Sequence, residues 1–202
     1  MNRPQFDIEN VQIRKRVSTL FRMILAIPHL LVVEVWGSVI QLVTFFQWWI
    51  ILFTGKRNNG IWSFQNSWLG YSTRVNSYFG LLFDKWPAFG DTPGGEPTTY
   101  SFEYESKARK VSTFFRLILA IPAFFIYLFL TFVGVMVTIG SWFVIMFTGR
   151  HPQGMFDFLL KVRRYSNSLS AYTMLMTDAY PSSEQDSAAL VRENANWNPP
   201  SV

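Results

Sequence analysis

The sequence predicts an all-α membrane protein made of two tandem repeats, and three observations predict it. The first is self-similarity. Residues 17–28 return 94 positions later as 111–122 with ten of twelve residues identical, and the register holds without a gap as 51–56 matches 145–150 and Tyr78 matches Tyr172. The second is the length of the apolar runs. Residues 117–147 contain no Asp, Glu, Lys or Arg, and the matching run 23–53 contains only Glu34. Runs of 18 or more such residues are read as membrane-spanning. The third is composition: half of the 202 residues are hydrophobic, 18% are aromatic and 15% are charged, whereas a soluble domain carries about 25% charged residues.

Each repeat opens on a short alternating stretch, Phe6 and Ile8 in one copy and Tyr100, Phe102 and Tyr104 in the other. Period-two alternation suggests a strand, and two such strands can pair at a membrane surface. The apolar run follows, with Pro28 or Pro122 near its start and Gly37 or Gly134 near its middle. A helix of 31 residues extends about 46 Å, against a hydrocarbon core of about 30 Å. Two readings stay open: a long kinked span, or a helical hairpin that folds back near 34–38. A single crossing per repeat leaves eight of the eighteen basic residues on one side and ten on the other. Hairpins bring all of them to one side, as cytoplasmic enrichment of Lys and Arg favours. They also move Glu34 out of mid-membrane, where a carboxylate costs roughly 2.5 kcal/mol or more. The charge rule therefore favours hairpins.

A basic amphipathic helix closes each repeat. Phe64, Trp68, Val75 and Tyr78 fall at helical spacing in the first copy, as do Phe158, Val162, Tyr165 and Tyr172 in the second. Aromatic anchors with basic neighbours suit the headgroup plane. The predicted divisions are a first repeat 1–87, a Pro/Gly-rich linker 88–99, a second repeat 100–181 and a polar, disordered tail 182–202.

The duplicated Phe-Thr-Gly-Lys/Arg at 53–56 and 147–150 reads as a helix stop followed by a cation that complements the negative helix end and reaches toward phosphates. Lys56, Arg57, Arg74, Arg150, Arg163 and Arg164 are the candidate lipid headgroup contacts. Glu34, Gln41 and Gln47 are the candidate intramembrane polar contacts. Their repeat counterparts are Leu128, Val135 and Ser141, which argues against an ion site on a symmetry axis. Asp84 and Asp178, each shortly before a proline, read as turn residues. His29 and His151 are not repeat-equivalent and have no ligand partners at metal spacing. The absence of cysteine excludes disulfides and thiolate chemistry. No catalytic constellation, nucleotide loop or cofactor motif is visible. The formal charge of +5 sits beside the apolar runs, which fits anionic lipid and not nucleic acid.

Ala26-Ile27-Pro28-His29, the run 51–56, the Tyr-Ser-Thr-Arg-Val-Asn-Ser-Tyr of 71–78 and the Phe-Asp-Lys-Trp-Pro of 83–87 together resemble the bacterial membrane family with domain of unknown function 4389. The resemblance covers both copies, roughly 10–87 and 104–181, although Ala123 replaces the histidine and Ser168 the arginine in the second. It implies a bacterial-type membrane protein and brings no catalytic residues. The expectation is a non-enzymatic scaffold or accessory subunit in the cell membrane, multi-pass, with its N-terminus and basic segments cytoplasmic. Its partners are lipids and other membrane subunits or its own copy. The alternatives are a small transporter or channel component, or a lipid-binding, membrane-shaping protein.

Overall fold

Each repeat folds as a strand, a long apolar helix and a shorter helix that runs back along it. The computed structural model describes residues 2–10 and 13–184. In chain order its elements are β1 (Gln5–Ile8), α1 (Arg16–Thr54), α2 (Asn59–Phe79), β2 (Thr98–Ser101), α3 (Lys110–Phe114), α4 (Arg116–Thr148) and α5 (Gln153–Thr173). Most of the predicted tail, 185–202, lies outside the described residues.

The predicted fold-back near 34–38 does not form. α1 is one continuous helix of 39 residues with Pro28 inside it. The physical reason lies at Gly37, the one backbone-permissive residue of that stretch. It is used for close packing: a Cβ there would sit 3.3 Å from the Trp68 ring, and Trp68 Nε1 donates to the Val33 carbonyl at 3.0 Å. Ser38 beside Gly37 donates its hydroxyl back to the Glu34 carbonyl at 3.0 Å, inside the helix. In the second copy the same run is α4, preceded by the single turn of α3, with the interruption at Phe115 (φ −88°, ψ 10°).

Among the described residues of α1, Thr19, Arg22, Ala26, His29, Val33, Ile40, Gln47 and Ile51 are buried. Steps of three, four and seven make one narrow seam, and α2 packs along it. Asn58 N donates to Gln47 Oε1 at 3.3 Å, Gln65 Nε2 to Thr44 Oγ1 at 2.8 Å, and Arg22 to the Tyr78 carbonyl at 3.4 Å. α2 thus runs antiparallel to α1, and α5 stands in the same relation to α4. α2 is buried throughout from Leu69 to Val75. The shorter helices are therefore an inner layer whose apolar faces pack on protein.

β1 and β2 form a two-stranded antiparallel sheet in which Phe6 faces Tyr100. Those two residues are repeat equivalents, so a pseudo-twofold axis passes between them. β2 begins at Thr98, two residues inside the predicted linker. The axis also passes between α2 and α5, where Thr73 Oγ1 donates to its equivalent Asn167 Oδ1 at 2.9 Å. Phe6, Ile8 and Ala26 share a core with Phe156, Leu159 and Leu160, each large side chain contributing about 1.5–3 kcal/mol by burial. The hydrophobic core is thus made jointly by the two repeats.

Candidate functional site

The ends of the long helices are locked by contacts that occur twice. Arg14 N donates to the Gly149 carbonyl and Ala108 N to the Gly55 carbonyl, both at 3.0 Å. Trp48 Nε1 donates to Thr113 O at 3.1 Å, and its equivalent Trp142 Nε1 to Thr19 O at 3.2 Å. Gly55 and Gly149 take φ of +70° and +71° as helix-ending residues, a conformation glycine adopts at no steric cost. The Arg16 side chain of one repeat lies on Gly149 of the other, and Lys110 lies on Gly55 and donates to Phe53 O at 2.8 Å. The duplicated Phe-Thr-Gly-Lys/Arg is therefore a stop at which one repeat's cation caps the other repeat's helix.

Inside each end sits a buried ion pair. Arg22 pairs with Asp84, donates to Phe83 O at 3.0 Å and lies over the Tyr78 ring. Arg116 pairs with Asp178 at 2.6 Å, donates to Thr177 O at 2.7 Å and lies over Tyr172. The second oxygen of each carboxylate accepts a helix-start amide, from Lys15 for Asp84 and from Arg109 for Asp178. The two aspartates thus do more than shape turns. The signal was present in the sequence: Arg22 and Arg116 are identical repeat positions, and each needs an anion once buried.

The six cationic candidates separate into two groups. Lys56 and Arg150 are exposed. Arg57 is buried, pairs with Asp178 at 2.9 Å and donates to Leu175 O at 2.8 Å. Arg74 is buried and donates to Asp91 O at 3.1 Å, which fastens the segment joining the repeats. Arg163 reaches Asn76 O at 3.2 Å, and burial holds its guanidinium down to about 10. Arg164 bonds Phe6 O and Asp7 at 2.9 and 2.8 Å. Lys15, Arg16, Lys107, Arg109 and Lys110 are exposed at the ends of the long helices, and Lys85 and Lys161 are exposed away from them.

Among the polar candidates, Gln47 is buried and caps the α1–α2 turn, whereas Glu34 and Gln41 are exposed. Those two line a cavity of about 450 Å³ with Thr44, Trp68, Ser170 and Thr173. At the equivalent place in the other repeat stand Leu128, Val135, Thr138, Val162, Asn76 and Phe79. His151 occupies the repeat position of Arg57. It lies 3.2 Å from Ser141 Oγ, and burial, followed by the charges of Arg14 and Arg22, pushes its imidazole down to about 4.

The largest feature is apolar. Phe21, Ile24, Leu31, Val35, Leu42 and Phe53 on α1 are each half or more exposed, as are Leu117, Ile118, Phe125, Phe129, Phe132 and Phe147 on α4. Two helices, Ser18–Thr54 and Arg116–Thr148, are long and apolar enough to cross a membrane, with 24% and 17% of their most apolar windows buried. A soluble core helix of that length is mostly buried; these are mostly bare.

Fold and surface define a mostly helical two-repeat protein with pseudo-twofold symmetry and an uncovered apolar face. The chain belongs to the family described as domain of unknown function (DUF4389), whose model matches residues 16–90 and again 110–183. No curated protein and no solved structure matches it.

Proposed function

We propose that this chain is a non-enzymatic integral membrane protein of the cell membrane that serves as a scaffold or accessory subunit of a membrane protein complex, with its basic segments on the cytoplasmic side. The observation that carries the reading is the bare aromatic and aliphatic surface of α1, α3 and α4. Water opposes exposure of so large an apolar face at about 25 cal/mol per Å², and lipid or another membrane protein removes that penalty. Most of the strongly basic and acidic side chains near the core are engaged with one another, which suits a rigid support. A second reading, a lipid-binding protein that shapes the bilayer, is favoured by the exposed cations at the ends of the same face.

The test is extraction. Alkaline carbonate is expected to leave the protein in the membrane pellet, and mild detergent is expected to release it with a partner in fixed stoichiometry. A lipid-loaded protein that bends liposomes and brings no partner selects the second reading. A folded monomer in plain buffer, without detergent or lipid, removes both.

A further inference from the structure

We infer that α1 and α4 lie along one leaflet of an anionic bilayer, with the apolar face down and the β1–β2 sheet in water, and that neither helix crosses. The inference rests on the membrane reading above and concerns only its geometry.

The reciprocal end contacts fix the direction of the helices. α1 starts where α4 ends, at Arg14 and Gly149, and ends where α3 begins, at Gly55 and Ala108. The two long helices are therefore antiparallel, and the pseudo-twofold axis runs across them near their midpoints. The sheet lies on that axis. Val33, near the middle of α1, bonds Trp68, while on the same stretch of α2 Asn66 accepts from the Tyr100 hydroxyl at 2.8 Å. Tyr100 faces Phe6, and beside it Asp7 pairs with Arg164 of α5. The sheet and its charges thus sit abreast of the middle of the apolar helices.

A bilayer normal directed along α1 would bring that level to mid-membrane. Asp7, with its side chain 45% exposed, and the exposed Asp91 would then lie in hydrocarbon, where carboxylates are costly. A bilayer normal directed along the twofold axis removes that conflict. The sheet then faces water and the bare faces of α1, α3 and α4 enter the leaflet. Lys15, Arg16 and Arg150 at one end, and Lys56, Lys107 and Lys110 at the other, share one depth. Cations at both ends of an in-plane apolar slab complement anionic headgroups. The length of α1, about 58 Å at 1.5 Å per residue, need not match a hydrocarbon core of about 30 Å.

The chain has no cysteine, so introduced thiols report cleanly. Ile13 and Ser106, both exposed, mark the two ends of α1, and Val35, 71% exposed, marks the middle of its bare face. The full chain carrying Ile13→Cys and Ser106→Cys is reconstituted into sealed vesicles of phosphatidylglycerol and phosphatidylethanolamine. It is treated with a membrane-impermeant maleimide and weighed intact. In-plane helices give molecules with two labels or none, whatever their orientation in the vesicle; crossing helices give molecules with one. A nitroxide on Val35→Cys is expected about 5–10 Å below the headgroups of the labelled side. Singly labelled molecules, or a Val35 probe near the far headgroups as in a fold-back, overturn the in-plane arrangement and leave the membrane reading standing. A protein that floats free of the vesicles with its Val35 probe in water overturns the membrane reading itself.

Discussion

The two repeats share their clamps and differ in what fills them. Both copies have the buried arginine on an aspartate, the left-handed glycine, the tryptophan that reaches across, and a leucine at positive φ, Leu81 at 65° and Leu175 at 64°. Around these the first copy is the more polar. Tyr71 shares a 2.8 Å hydrogen bond with His29 Nδ1, whereas Tyr165 donates to the Ala123 carbonyl at 3.1 Å. His29 and Ala123 are equivalent positions, so the second copy has replaced a side-chain partner by backbone. Asp178 has two arginines, Arg57 and Arg116; Asp84 has Arg22 alone as its ion-pair partner among the described residues. The features common to both are those that close the fold. The features confined to one are where this chain has become asymmetric.

The largest expected effect sharpens that contrast at the aspartates. Asp178→Asn leaves two guanidiniums, of side chains no more than 3% exposed, without an anion, and should lower stability by about 3–5 kcal/mol. Asp84→Asn strands one, and should cost less. Thermal unfolding of both variants in the same detergent decides it, and equal losses would break the comparison.

Next comes His151. Its folded pKa of about 4 lies below the ordinary 6.5, so the unfolded chain takes up a proton that the folded chain refuses. The associated stability is complete above about pH 6.5 and is lost as pH falls toward 4, by up to about 3 kcal/mol. Denaturant midpoints at pH 7 and 4.5 should differ for the native chain and converge in His151→Gln; a slope that survives the substitution assigns the effect elsewhere.

Tyr71→Phe should destabilise by about 2 kcal/mol, because His29 Nδ1 loses its partner and Nε2 has none among the described residues. Tyr165→Phe should cost about 1 kcal/mol, since the Ala123 carbonyl is also a helix acceptor. The reverse order would mean that the histidine contributes nothing to repeat one. Smallest of all, Gly55→Ala and Gly149→Ala should each cost about 1 kcal/mol from the positive φ, and alike. A marked difference in their melting temperatures would show that the shared clamps are not equivalent.

Much of this architecture was legible in the chain. A 94-residue repeat with unbroken register identified the duplication, alternation at Phe6 and Tyr100 located two strands that do pair, and Gly55 and Gly149 marked the helix ends. The hairpin was misread because Gly37, the expected turn residue, is consumed by Trp68 of the neighbouring helix, a pairing that no local pattern reveals. The roles of Arg57, Arg74 and Arg164 were hidden for another reason. Each binds carbonyls or carboxylates 16 or more residues away, and only the folded chain brings those together. The cavity at Glu34 joins α1 to the end of α5, a juxtaposition that no local spacing encodes.

The reciprocal end contacts have a consequence for origin. Surfaces in which each copy completes the other are those of an isologous homodimer, so a half-length ancestor would have closed by the same bonds between two separate chains. Joining such halves through the segment anchored by Arg74 would turn a bimolecular encounter into ring closure, governed by tether length and insensitive to dilution. Once joined, the halves were free to diverge one at a time, and a carboxylate could arise at position 34 without its mirror image appearing at 128.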